Sequence, residues 1–100
     1  MLTHETWQEP VSLELHRIGV FRTIRSSSEA LDCLVADWPA EEDQAYEDAL
    51  MICRAAIEGK SDPELARDAF IVAAYEARIY MRLGYFIPDF VTLELPNAPF

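Results

Sequence analysis

The apolar period of this chain changes at Ser26-Ser27-Ser28-Glu29, and that change limits the fold more than any other feature. Before it, Val11-Ser12-Leu13-Glu14-Leu15 alternates apolar with polar, the period of a strand that buries one face. Phe21-Arg22-Thr23-Ile24-Arg25 is rich in β-branched and aromatic residues and reads as a second strand. Gly19, within the His16 to Val20 stretch, suits the turn between them because glycine takes positive φ without steric cost. After Glu29 the apolar residues recur at helical spacing. The expected architecture is an α+β domain, an N-terminal β-hairpin packed against three helices, with an extra C-terminal strand.

Capping signals place the helices. Ser26 and Glu29 stand at capping-box spacing and open the first, which carries Ala30, Leu31, Leu34, Val35 and Trp38 on one face until Pro39 stops it. The second is expected over 41–58, with Tyr46, Ala49, Leu50, Cys53, Ala56 and Ile57 facing inward and Gly59 just past its end. Ser61-Asp62-Pro63-Glu64 joins a second capping box to a proline in the first turn, where a missing N–H costs nothing. The third helix should then run to about Leu83, with Gly84 as its stop. The expected core is Leu13, Leu15, Ile24, Leu31, Leu34, Leu50, Cys53, Ile57, Leu65, Phe70 and Ala73, with Trp38 largely buried where the first two helices meet. Beyond Gly84, Val91-Thr92-Leu93-Glu94-Leu95 alternates between Pro88 and Pro96. It reads as a strand added to its own hairpin or to that of a second copy, with an unattached tail as the alternative. The expected division is a domain over 1–84 and an extension over 85–100.

Composition excludes several classes. The chain has 100 residues, 18 acidic and 8 basic, for a formal charge of −10, and 51% of it is hydrophobic. That suits one globular domain. Nucleic-acid affinity rests on Lys and Arg neutralising phosphates, so no nucleic-acid partner is expected. The longest uncharged apolar run, Ala69 to Tyr75, falls far short of the roughly 20 residues of a membrane span. No basic, apolar leader opens the chain, and a cytoplasmic location is expected.

Glu29 to Leu34, then Trp38-Pro39, then Tyr46 with Ala49-Leu50 and Cys53, the Ala55 to Gly59 stretch, and Ala66-Arg67-Asp68-Ala69-Phe70 leading to Ala73-Ala74 and Glu76-Ala77, form one ordered series. It resembles the small bacterial family called domain of unknown function number 982, over roughly Pro10 to Ala77. The resemblance implies a compact hairpin-then-three-helix domain in a family without an established activity. It contributes no catalytic or binding residue.

Candidate chemistry is sparse. Cys33 and Cys53 lie in apolar helical stripes with no C-x-x-C pair, which points to reduced, buried thiols. His4 and His16 are the conventional bases near neutral pH, but no catalytic set can be assembled around them. Arg17, Arg22 and Arg25 put three cations on the hairpin, where they would pair with the acidic helices or contact an anion. Tyr75, Tyr80, Tyr85, Phe86 and Phe90 suit core and helix-end packing, with an interface as the alternative. The clearest feature is a run of acids without a base between Arg25 and Arg54. Helix N-termini and a solvated face account for much of it. As the alternative, the same run nominates Asp37, Glu41, Glu42, Asp43, Glu47 and Asp48 as a surface for a protein partner. No catalytic residue, metal or cofactor is assigned, since no D-x-D-x-D-G loop or glycine-rich phosphate loop is present. The functional expectation is a non-enzymatic interaction or accessory domain, a homodimer being one form of it. The alternative is a small ligand binder or enzyme with a site between hairpin and helices, using Arg22 or Arg25 with a carboxylate.

Overall fold

A computed structural model describes residues 5–84. In chain order it runs β1 (Thr6–Leu13), β2 (Arg22–Ser26), α1 (Ser27–Ala36), α2 (Gln44–Ile57), α3 (Pro63–Glu76) and β3 (Met81–Leu83). The strands form an antiparallel sheet in the order β2-β1-β3. Val11 and Leu13 of β1 share the inner face with Ile24 of β2 and are buried beneath the helices. On the outer face Ser12 and Thr23 share a hydrogen bond of 3.0 Å. There too Arg82 stacks over the Phe21 ring at 4.2 Å, and Phe21 meets Tyr80 edge-on.

The first strand begins five residues earlier than the alternation predicts. Thr6 pairs with Ser26 and Val11 with Ile24, so four residues of β1 face Arg25 alone. Such a bulge admits Pro10, whose missing N–H disqualifies it from a regular central strand. It also delivers Trp7 to the core, where the indole N–H donates to the buried Ser27 hydroxyl at 3.1 Å. The expected turn is present, with Gly19 at φ 84.

Capping holds the helix starts. The Ser26 hydroxyl accepts from the Glu29 N–H, as the capping box requires. The Glu29 carboxylate reaches one residue beyond the box, to the Arg25 N–H at 2.8 Å. The buried Glu5 carboxylate accepts from the Ser28 N–H at 2.7 Å, which places a negative charge at the positive end of the helix dipole. Helix α2 starts at Gln44 with Asp43 as its cap, so Glu41 and Glu42 precede it. At α3 the cap is Asp62 rather than Ser61. Its Glu64 carboxylate accepts from the Gln8 N–H of β1 at 3.1 Å, fastening the helix to the sheet.

The third helix stops at Glu76, seven residues before the expected end. Arg78 takes φ 62, its N–H donates to Tyr75 O, and the Ile79 N–H donates to Ala74 O. These two bonds are a Schellman termination, the same one that Gly59 makes at the end of α2. An arginine in the left-handed position carries no sequence warning. The chain then returns along β1, pairing Leu83 with Val11 and Met81 with Leu13. Met81–Leu83 is thus the strand beside the hairpin, and the expected strand at 91–95 lies outside the described residues.

The core unites Leu13, Ile24, Leu34, Cys53, Phe70 and Ala73 as expected, and adds Trp7, Val11 and Tyr46. Leu15, Leu31, Leu50 and Ile57 are only half-buried, and Leu65 is exposed. On α3 the inward positions are Ala66, Phe70, Ala73 and Ala74, which turns Leu65 outward. Trp38 is also half-buried, its ring tilted against both Tyr46 and Phe70.

Candidate functional site

The six nominated acids divide into two settings. Glu41, Glu42, Asp43, Glu47 and Asp48 are all exposed around the start of α2. Asp43 accepts from the Tyr46 N–H at 3.0 Å and Asp48 from the Gln44 side chain at 2.9 Å. No salt bridge among the described residues involves any of these five. Asp37, the α1 C-cap, turns instead toward the hairpin.

The α2 acids border a groove between α2 and α3 that encloses about 480 Å³. Its floor is Ala45, Ile52, Ala69 and Val72, and Asp43, Asp48 and Glu76 stand on its rim. Val72 is 50% exposed there. The spacing of residues along α3 does not by itself mark Glu76 as part of this groove. The packing of α2 against α3 is what places Glu76 along the same groove as Asp43 and Asp48.

On the hairpin side, Asp37 Oδ1 lies 2.8 Å from His16 Nε2, and its Oδ2 lies 3.4 Å from Arg22 Nη1. These three side chains join the hairpin loop and β2 to the end of α1, beside a cleft of about 270 Å³. The expected pairing of a hairpin arginine with an acidic helix is therefore present at Arg22. Arg25 is exposed on its strand, and Arg17 lines the cleft beside His16.

Cys33 and Cys53 are both buried free thiols. Burial pushes the Cys33 thiol up to about 11 and Cys53 up to about 12, the opposite of what a nucleophile needs. The Tyr46 hydroxyl is also held protonated above its ordinary range, by burial first and then by Glu42 and Glu47. It donates to Leu34 O at 2.8 Å, tying α2 to α1. Among the described residues no three His, Cys, Asp or Glu side chains gather at metal-binding distances. No described helix is long and apolar enough to cross a membrane. Tyr75 and Tyr80, expected as packing residues, are 72% and 58% exposed. Tyr85, Phe86 and Phe90 lie outside the described residues.

Comparison with known proteins supplies a family and a fold relative. The family described as "Protein of unknown function (DUF982)" matches over residues 9–81. The NMR structure of Agrobacterium tumefaciens protein Atu1219, a structural genomics target, is similar at 36% sequence identity. That likeness covers 85% of this chain and 84% of the other, with a TM-score of 0.68. A comparison with curated proteins finds no match. Most of the hairpin, Trp38-Pro39 and the alanine-rich third helix fall inside the matched span, and the chain belongs to the DUF982 family.

Proposed function

We propose that this chain is a non-enzymatic protein-interaction or accessory domain whose partner presents a basic amphipathic helix to the α2–α3 groove. One observation carries the reading: an apolar floor of Ala45, Ile52, Ala69 and Val72 lies open between carboxylates on both helices. An amphipathic helix places an apolar stripe beside flanking charges, and lysines on those flanks complement Asp43, Asp48 and Glu76. The formal charge of −10 argues against a nucleic-acid partner on the same face.

The test is an NMR titration of the full chain with a synthetic helix carrying lysines beside a leucine stripe. A scrambled peptide of the same composition is the control. The expected result is amide shifts centred on Ala45, Ile52, Ala69 and Val72, with affinity falling as salt rises. Asp48→Asn with Glu76→Gln should weaken binding without disturbing the fold. Equal binding of the scrambled peptide, or shifts centred elsewhere, would overturn the proposal.

A further inference from the structure

The cleft at the base of the hairpin is independent of the α2–α3 groove and has different chemistry. His16, Arg17 and Arg22 stand around one carboxylate, Asp37, which makes the cleft locally cationic in a strongly acidic chain. Asp37 does not exhaust these donors. Arg22 offers it one nitrogen at 3.4 Å, while a guanidinium carries five N–H groups in a fork suited to a carboxylate. No hydrogen bond among the described residues uses the Arg17 guanidinium. The rest of the lining is Leu15, Val20 and Phe21, so the cationic rim surrounds an apolar floor. At about 270 Å³ the cleft is close to the lower limit for small-molecule pockets, roughly 300 Å³.

We infer that this cleft binds a small carboxylate with a compact apolar or aromatic body. The carboxylate of the ligand bonds Arg22 and Arg17, and its hydrocarbon part covers Val20 and Phe21. His16 holds Asp37 from its other oxygen, at 2.8 Å, which keeps Asp37 drawn aside while Arg22 turns its free edge to the ligand. A bare inorganic anion would satisfy the arginines and leave the floor wet. A neutral aromatic would cover the floor and leave the arginines unused.

Titrating the isotope-labelled full chain with benzoate tests this, with inorganic phosphate and benzyl alcohol as the two partial ligands. Saturable shifts should appear at Val20, Phe21 and the Arg22 side-chain N–H. Arg22→Gln should weaken binding about tenfold, the loss of one charge-assisted pair. Arg25→Gln, outside the cleft lining, should leave binding unchanged. Arg22→Gln also removes the contact to Asp37, so Arg17→Gln, an exposed loop substitution, serves as the second variant and should weaken binding as well. The inference fails if benzoate does not saturate, or if either partial ligand binds as tightly as benzoate. It also fails if Arg17→Gln binds like the native chain.

Discussion

Arg78 holds φ 62 one residue past the α3 C-cap, the place that Gly59 fills at φ 79 after α2. A residue with a Cβ pays about 1–2 kcal/mol there, and glycine gives back about 0.4–1 kcal/mol through the entropy of the unfolded chain. Arg78→Gly should therefore raise stability by about 0.5–1 kcal/mol in urea unfolding, and a loss of stability would mean that the arginine side chain anchors the α3–β3 link. The thiols make a second prediction at this scale. Above 9.0 the unfolded chain releases thiol protons that the folded chain keeps. Stability is thus full below that pH and falls as pH rises toward about 11 and about 12. Replacing both cysteines with alanine should flatten that alkaline decline, read as melting temperature against pH. A decline of unchanged steepness would assign it to other groups.

At the scale of elements, α3 is the pivot. Its Phe70 ring is fully buried and touches both tryptophans, Trp7 of β1 and Trp38 of the α1–α2 link, at centroid distances of 5.8 and 5.9 Å. Phe70→Ala should cost about 3–5 kcal/mol, the range for large cavities at close-packed aromatic sites. Leu50 is only half-buried on α2, so Leu50→Ala should cost clearly less than Phe70→Ala in the same urea series. Equal losses would mean that α2 packs more deeply than its exposure indicates. The capping geometry makes the same point in polar terms. Asp62 and Glu64 start α3, and the Glu64 carboxylate also bonds the β1 backbone, so one turn of helix serves two elements.

For the whole molecule, charge is distributed unevenly. The exposed acids at the start of α2 form no salt bridge among the described residues, whereas Arg22 and Arg82 lie on the sheet and Arg17 in the hairpin loop. Self-repulsion among the acids opposes folding and is screened by salt, while the exposed ion pairs contribute little. Raising sodium chloride from low to about half-molar, where the Debye length is about 4–5 Å, should increase the melting temperature by a few degrees. A fall would show that the ion pairs of Asp37 and Glu9 outweigh the repulsion.

Local chemistry determined the order of hairpin and helices and the starts of α1 and α3. Period-two alternation around Val11 to Leu15, the serine cap before Glu29, and Asp62-Pro63 each act within a few residues, so the chain alone carries them. The buried free cysteines were legible for the same reason, as small apolar members of helical stripes. What escaped depended on partners distant in the chain. Trp7 became core through a bulge that only pairing with β2 creates, across a Pro10 that discourages any strand assignment. The end of α3 is set by Arg78 in a conformation that glycine usually marks, and β3 gains its bonds from β1 rather than from its own composition. Both candidate sites are of this second kind. Glu76 shares a groove with Asp43 and Asp48, and Asp37 meets His16 and Arg22, because helices and hairpin dock together. Sequence spacing reports a shared face within one element, but the approach of two elements is decided by packing, and that exists only in the folded chain.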